Sequence, residues 1–277
     1  MDETRRGAAR EFFDEKRREV RTRGLMAYPI ESEAETNEIR AFERLFDVLA
    51  GPIPIRHPHF DLKLDLDPLL GPRVAYLIAI GDYELGDLEL IERYVRTGDR
   101  VIELGGGAGL TAALNAKQTG NEVVVVEPDD RLFPIIRRQV ELNGGTVRFE
   151  HGAVSAQAIR GETDFFVDAE IWFSSTHREV KSHGERMRRK VSVPVVDLDA
   201  LLSTHRPTVA MIDIEGAELE LFDRPLAQKP RLIVVEIHTP HFGERAGAQL
   251  VQKICDQGYA LIDLYGWTYV FEARASQ

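Results

Sequence analysis

The stretch Arg100-Val-Ile-Glu-Leu-Gly-Gly-Gly-Ala-Gly-Leu110 decides the fold that we expect for this chain. A short apolar run passes into a cluster of glycines and then into a segment compatible with a helix, which predicts a strand, a tight turn and a helix. Gly105, Gly107 and Gly109 allow positive φ and a close approach of the backbone to a ligand, which the amides at the start of the helix would face. The stretch therefore predicts a cofactor-binding turn.

The spacing of these glycines distinguishes between cofactors. A dinucleotide-binding turn has the pattern G-x-G-x-x-G, and this chain has Leu110 where the last glycine would stand. It has instead the pattern E-x-G-x-G-x-G beginning at Glu103, which resembles the first motif of class I S-adenosylmethionine-dependent methyltransferases. The resemblance implies that Glu103 lies near the ammonium group of the cofactor's methionine.

A second apolar run, Glu122-Val-Val-Val-Val-Glu127-Pro128, is typical of a strand buried on both faces of a parallel sheet. Glu127 stands about 20 residues past the glycine turn, where a carboxylate accepts hydrogen bonds from both ribose hydroxyls of a cofactor. We assign Glu127 and the adjacent Pro128 to cofactor binding. A third strand is predicted over residues 146–154, and the resemblance implies an adenine-binding loop at its end, with Gly152 and Ala153.

Strands that alternate with helices predict an α/β fold with ligands at the carboxyl ends of the strands. Together with the resemblance, the pattern indicates a Rossmann-like class I methyltransferase core over residues 73–277, with a mostly parallel seven-stranded sheet and helices on both faces. Residues 164–196 are expected to form an insertion with a hairpin or short extra strands. Residues 1–72 are expected to form a partly helical N-terminal extension that packs on the core.

The composition is that of an ordinary globular protein. Of its 277 residues 43% are hydrophobic and 29% are charged, and no apolar run approaches the ~18 residues of a membrane span. The first residues lack the apolar core of a signal peptide, and one cysteine excludes an internal disulfide, so we expect a cytoplasmic protein. A net charge of -11 argues against broad nucleic-acid binding.

The segment from Arg178 to Lys190 is the one strongly basic stretch. Its simplest interpretation is a solvated loop. The alternative is a lid that contacts an anionic acceptor.

Four polar residues at the ends of two later strands could carry chemistry. Asp213 and Glu215 follow the apolar run that begins at Thr208, and Glu236 and His238 follow the run that begins at Arg231. Because side chains alternate along a strand, each pair shares a face, and the pairs converge if the two strands are neighbours.

The residue types leave three interpretations open. In the favoured one, His238 or Asp213 is a general base and the remaining carboxylates, Glu215 among them, orient the substrate or the cofactor. In the second, Asp213, Glu215, Glu236 and His238 bind a divalent cation, Mg or Mn, that acidifies a hydroxyl. In the third, Glu215 and Glu218 only cap the following helix.

Over residues 82–238 the sequence resembles the FkbM family of S-adenosylmethionine-dependent methyltransferases. The resemblance rests on five blocks: Tyr83-Glu84, Val101 to Gly109, Val126-Glu127-Pro128, Val195 to Asp199, and Ile212-Asp213-Ile-Glu215-Gly216-Ala-Glu218. It implies O-methylation of a hydroxyl on a sugar, a glycolipid or a polyketide-type natural product. Two positions depart from the family pattern, because Gly107 stands where asparagine is usual and Met211-Ile212 where a lysine is common.

Two other functions stay open. One is an NAD(P)-dependent oxidoreductase on a similar sheet, and the other is a non-catalytic cofactor-binding protein. We expect a small hydroxylated molecule as the partner and no nucleic acid, and exposed apolar residues on the N-terminal helices would suit a homodimer.

Overall fold

The computed structural model describes residues 52–157, 161–167, 174 and 189–274. The helices expected in the first 50 residues and most of the basic segment before Arg189 lie outside these residues. The chain divides into two compact units, one ending at Leu85 and the other beginning at Gly86. No described helix has the length and apolar character needed to cross a membrane.

The first unit contains a small hairpin and a helix. Strands β1 (Ile53–Arg56) and β2 (Lys63–Leu66) pair antiparallel. Helix α1 (Gly71–Ile80) follows and ends at Gly81 in the left-handed conformation. The sequence analysis did not predict α1, because its segment is apolar on nearly all sides and shows no helical stripe.

The second unit alternates strands and helices. Its elements are α2 (Leu85–Tyr94), β3 (Val101–Leu104), α3 (Leu110–Thr119), β4 (Val123–Glu127), α4 (Phe133–Leu142), β5 (Val147–His151), β6 (Ala153–Ser155), β7 (Glu162–Val167), β8 (Arg189–Asp197), α5 (Leu198–His205), β9 (Val209–Ile212), α6 (Glu218–Leu221), β10 (Leu232–Glu236), α7 (Thr239–Phe242), α8 (Glu244–Asp256), β11 (Tyr259–Tyr265) and β12 (Thr268–Ala273).

Seven of the strands form one sheet in the order β11-β12-β10-β9-β3-β4-β5. The pairs from β10 to β5 are parallel, and β12 runs antiparallel to β10 and to β11. The order reverses direction at β3, which is the kind of point where α/β proteins bind ligands beyond the carboxyl ends of their strands. The prediction of a mostly parallel seven-stranded Rossmann-like sheet with an antiparallel edge is confirmed.

The central strands are buried over their whole length, which accounts for their unbroken apolar sequences. Residues of α5 and α8, including Leu201, Leu250 and Ile254, pack with Ile102 and Val235 in one apolar cluster. Helix α4 begins with Pro134 in its first turn, where a missing amide costs little.

The single strand predicted over residues 146–154 is wrong in one respect, because the chain leaves the large sheet at Gly152. Strand β5 ends at His151, and β6 pairs with β8 in a separate three-stranded sheet of order β6-β8-β7. Gly152 has φ +148°, and a Cβ atom there would lie 2.4 Å from the carbonyl oxygen of Pro194. Strands β7 and β8 pair antiparallel in this smaller sheet, and the insertion over residues 164–196 stays a prediction.

Candidate active site

The glycine turn joins β3 to α3 at the centre of the large sheet. The amide of Gly105 donates to the carbonyl oxygen of Val126, 2.9 Å away. Gly105 has φ +89°, and a Cβ atom there would lie 1.8 Å from the carbonyl oxygen of Asp213. A side chain is therefore excluded at Gly105 by the chain itself, since the ends of β3 and β9 are in direct contact.

The positions of the later glycines of the turn are also explained by positive φ and close packing. Gly109 has φ +81°, and its Cβ would lie 2.8 Å from the Cα atom of Ile136, so α3 packs closely on α4. Gly107 also has positive φ, at +47°. These conformations are those that the sequence predicts for the turn, and the assignment of the three glycines to a cofactor stays a prediction.

Glu127 connects the end of β4 to the turn. Its side chain is buried, Oε2 accepts a hydrogen bond from the amide of Gly106 at 2.9 Å, and Oε1 accepts one from the amide of Asp129 at 2.8 Å. Burial raises the pKa of Glu127 to about 7, against the opposing effect of these amides. Pro128 follows, and its carbonyl oxygen lies 3.1 Å from Nε2 of His151.

Glu103 lies within β3, below the turn. The residue is 2% exposed, and Oε1 accepts a hydrogen bond from the hydroxyl of Thr111 at 2.8 Å. Its Oε2 atom is buried and has no hydrogen-bond partner among the residues that the structure describes. Burial raises the pKa of Glu103 to about 8. An unsatisfied buried oxygen of this kind would gain from a cationic ligand group.

Gly152 and Ala153 lie at the change from β5 to β6, beside the end of β4. The amide of Gly152 donates to the carbonyl oxygen of Glu127 at 3.2 Å, and Ala153 is buried and pairs with Val195. The structure thus places the predicted adenine-binding residues directly next to Glu127.

A second group of side chains lies at the ends of β9 and β10, which are adjacent and parallel. His238 is 5% exposed, and its Nε2 atom lies 3.5 Å from Oδ1 of Asp213, 3.4 Å from Oε2 of Glu215 and 3.8 Å from Oε1 of Glu236. The predicted convergence of these four residues is therefore observed.

Glu215 does not share a strand face with Asp213, contrary to the expectation from the sequence. Strand β9 ends at Ile212, so Asp213 and Glu215 do not alternate on a strand. Glu215 has φ +49°, a left-handed conformation that is unusual for a residue with a side chain. We call Asp213, Glu215, Glu218, Glu236 and His238 the acidic cluster.

Glu218 is the member of the acidic cluster whose role the sequence analysis missed. It is fully buried at the start of α6, and its Oε1 accepts hydrogen bonds from both the amide and Nδ1 of His238, each at 3.0 Å. Its Oε2 accepts one from the amide of Gly216 at 2.7 Å. The interpretation of Glu218 as a helix cap accounts only for its bond to Gly216. The two bonds to His238 fix the orientation of the His238 ring, and a cap does not explain them.

The charges in the acidic cluster depend on one another. Burial opposes the charge on His238, but its hydrogen bond to Glu218 and the charges of Glu215 and Asp213 hold its pKa well above the usual range. Burial of Oδ1, opposed by His238 and reinforced by Glu215, raises the pKa of Asp213 to about 8, although 44% of its side chain is exposed. Near neutral pH the His238 ring therefore carries a proton.

Asp87, in the first turn of α2, is a further residue near this group that the sequence did not indicate. Its Oδ1 accepts a hydrogen bond from the hydroxyl of Thr268 at 2.9 Å. Burial raises the pKa of Asp87 to about 6, and the charge of His238 partly opposes this rise. No local pattern in the sequence connects Asp87 with residues so distant along the chain.

Three of the four residues predicted as metal ligands bring their ligand atoms close together. Asp213, Glu236 and His238 each offer one ligand atom, and these atoms all lie within 4.8 Å of one another. Glu215 does not belong to this set of three.

Comparisons with known proteins agree with the motifs. The family model described as "Methyltransferase FkbM domain" matches residues 100–261. The ribosomal protein L11 methyltransferase of Thermus thermophilus is 29% identical over 122 residues, which are 43% of this chain and 47% of that protein. The chain thus spans about half the length of this curated relative.

Similar solved structures are methyltransferases as well. A methyltransferase from Pyrococcus furiosus has a TM-score of 0.41 and 14% identity, and the match covers 87% of this chain and 98% of that one. The Pyrococcus abyssi tRNA (uracil-54, C5)-methyltransferase, in complex with S-adenosyl-L-homocysteine, has a TM-score of 0.44 and 15% identity, with coverages of 80% and 43%.

Proposed function

Because the chain belongs to the methyltransferase FkbM domain family, we propose that it transfers the methyl group of S-adenosylmethionine to a hydroxyl of a small acceptor. The acceptor class that we propose is a sugar, a glycolipid or a polyketide-type natural product. The observation that carries the proposal is the position of Glu127, buried at the end of β4 and bonded to the glycine turn.

The residues around the turn fit this cofactor. Bound S-adenosylmethionine supplies an electrophilic methyl group on a sulfonium ion. Glu127 would hold the ribose hydroxyls, in exchange for one of its present bonds to the amides of Gly106 and Asp129. The unsatisfied Oε2 of Glu103 would accept a hydrogen bond from the ammonium group of the methionine part, directly or through water.

The acidic cluster would receive the acceptor. When a hydroxyl is methylated, its O–H bond breaks, an O–CH₃ bond forms as the S–CH₃ bond breaks, and one proton is released. Asp213 is the residue that we assign to accept this proton in its ionised form, because 44% of its side chain is exposed and the His238 ring already carries a proton near neutral pH. The carbonyl oxygen of Asp213 lies against Gly105 of the glycine turn, and this proximity supports the assignment.

Calorimetric titration with S-adenosylmethionine, S-adenosylhomocysteine and NAD tests the cofactor assignment. We expect saturable binding of the first two ligands, which Glu127→Ala abolishes. Glu122→Ala is the matched control, because Glu122 precedes the same strand and pairs with the exposed Arg148. Preference for NAD, or equal binding by both variants, would overturn the assignment.

Product analysis tests the acceptor chemistry. The protein is incubated with hydroxylated sugars, glycolipids and polyketides, and the products are analysed by mass spectrometry with isotope-labelled methyl groups. We expect an O-methyl ether that Asp213→Asn forms at least about 100-fold more slowly, since general acid–base catalysis contributes 10²- to 10⁴-fold. Cofactor binding without methylation of any hydroxyl would contradict O-methyl transfer.

A further inference from the structure

We propose that Asp213, Glu236 and His238 form a binding site for one divalent cation of the Mn²⁺ or Mg²⁺ type. Binding of the cation is independent of the methyl-transfer chemistry, whereas its role in the reaction rests on the proposed function. The favoured interpretation of the sequence was a base without metal, and the arrangement of the side chains is what changes the preference.

The first argument is the spacing of the ligand atoms. Nε2 of His238 lies 3.5 Å from Oδ1 of Asp213 and 3.8 Å from Oε1 of Glu236. Ligand atoms that share an ion at about 2.0 to 2.3 Å lie about 3 to 4 Å apart when they occupy adjacent positions. These two distances fall in that range, and all three ligand atoms lie within 4.8 Å of one another, so modest side-chain movements would bring them to one ion.

The second argument is how His238 is held. Its Nδ1 donates to the fully buried Glu218, so that Nε2 is directed at the other carboxylates. Histidines that bind metals almost always donate their second ring N–H to a carboxylate or carbonyl, which fixes both the tautomer and the ring orientation. Glu218 would serve this purpose, and its further bonds to the amides of His238 and Gly216 hold it rigidly.

The third argument concerns an oxygen atom that the protein leaves unsatisfied. Oδ1 of Asp213 is buried and has no hydrogen-bond partner among the described residues, although 44% of the side chain is exposed. Within this part of the chain, the ion pairs of Asp213, Glu218 and Glu236 are all formed with His238. One imidazole thus faces several carboxylates, and a cation that takes the place of the proton on Nε2 would also satisfy the buried Oδ1.

The ligand types favour one class of ion. Two carboxylate oxygens suit Mg²⁺ and Mn²⁺, and the imidazole nitrogen favours Mn²⁺ over Mg²⁺. The single Cys255 lies on α8, outside the acidic cluster, so no thiolate contributes to the site. A cation held here would favour loss of the proton from an acceptor hydroxyl, and the exposed part of Asp213 remains accessible to the acceptor.

Titration of the cofactor-free protein with Mn²⁺, followed by the electron paramagnetic resonance signal of free Mn²⁺, tests the proposal. We expect saturable binding of one ion below millimolar concentrations. Asp213→Asn, Glu236→Gln and His238→Gln should each weaken binding at least tenfold, and Glu218→Gln by about 10- to 100-fold. Glu220→Gln is the control, because it removes the same charge from an exposed position of α6.

A second measurement on bound Mn²⁺ covers the case in which His238→Gln fails to fold. Electron spin-echo modulation should show a coupled imidazole nitrogen in the wild type, and Asp213→Asn should abolish bound Mn²⁺ while its circular dichroism is unchanged. Absence of saturable binding, absence of the nitrogen coupling, or unchanged affinity in the folded Asp213→Asn variant would each overturn the proposal.

Cofactor titration in the presence of a chelator separates this proposal from the proposed function. Binding of S-adenosylmethionine without any binding of Mn²⁺ would remove the cation site and leave the methyltransferase assignment intact. Binding of Mn²⁺ without binding of S-adenosylmethionine would support the site and contradict the proposed function.

Discussion

One carboxylate oxygen of Glu218 accepts two hydrogen bonds from the same residue, His238, through its backbone amide and its Nδ1 atom. The other oxygen accepts the amide of Gly216, in the turn that follows β9. Glu218 therefore joins the ends of two neighbouring strands and fixes the His238 ring between them.

Replacement of Glu218 by alanine should be strongly destabilising. It leaves two amides and a buried charged ring without their acceptor, and removal of one partner of a buried pair costs about 3 to 5 kcal/mol. Urea unfolding measures the loss. Glu220→Ala, at an exposed position of the same short helix, should change the unfolding free energy by only about 0.5 kcal/mol. Similar losses in the two variants would show that the bonds of Glu218 contribute little.

Gly105→Ala and Gly98→Ala separate steric exclusion from backbone strain. Both glycines have similar positive φ, +89° and +86°, but a Cβ at Gly98 meets nothing within 4 Å, whereas one at Gly105 meets the carbonyl oxygen of Asp213. We expect Gly98→Ala to cost about 1 to 2 kcal/mol from conformation alone. Gly105→Ala should cost clearly more and should also abolish cofactor binding, as chemical unfolding and calorimetry will show.

Glu103 should make the cofactor-free protein less stable as the pH rises. Burial raises its pKa from 4.5 to about 8, so the folded protein holds a proton that the unfolded chain releases. The contribution of Glu103 to the unfolding free energy is therefore highest below pH 4.5 and falls as the pH rises towards 8.

Glu103→Gln should remove this part of the pH dependence. Urea unfolding at pH 5 and pH 8.5 should show a wild-type decrease that exceeds the decrease in the variant by an amount on the order of 1 to 4 kcal/mol. The exposed Glu141→Gln on α4 should retain the wild-type slope. A slope that Glu103→Gln leaves unchanged would mean that the side chain is ionised in the folded protein.

Arg231→Ala should destabilise the amino ends of the central strands, opposite the candidate site. Arg231 bonds both oxygens of the buried Asp99, which also accepts the hydroxyl of Thr208. Its loss leaves Asp99 without its cation and should cost about 3 to 5 kcal/mol in urea unfolding. Arg224→Ala is the control, because Arg224 forms only long, partly exposed ion pairs with Asp197 and Asp199. We expect its unfolding free energy to fall by no more than about 1 kcal/mol, and a larger fall would contradict the contrast between buried and exposed ion pairs.

The order of strands and helices in the core was predictable because local signals agree there. The glycine turn between β3 and α3, the valine run of β4 and Pro134 at the start of α4 each specify one local conformation. The parallel pairing follows from the alternation of strands and helices, since parallel neighbours need a crossover.

The features that escaped prediction depend on contacts between distant residues. Helix α1 lacks a polar face, so its sequence shows no period. The break at Gly152 is caused by Pro194, more than 40 residues later, which no local pattern reveals.

In the candidate site, too, some features were predictable from the sequence and others depend on contacts between distant residues. The convergence of Asp213, Glu236 and His238 follows from the topology, because β9 and β10 are consecutive parallel strands. The roles of Glu218 and Asp87 depend on which ring nitrogen and which hydroxyl they meet, and only the packed side chains determine that.

Strand β9 hydrogen-bonds to β3 on one side and to β10 on the other. The elements assigned to the methyl donor and to the methyl acceptor are therefore separated by single steps of a backbone ladder, each about 4.8 Å wide. Such a ladder cannot slide without breaking several bonds at once, so under the proposed function the sheet fixes the spacing between the elements that would hold the donor and the acceptor. A change of acceptor during evolution would then leave the reaction distance constant, and would be confined to segments outside these three strands.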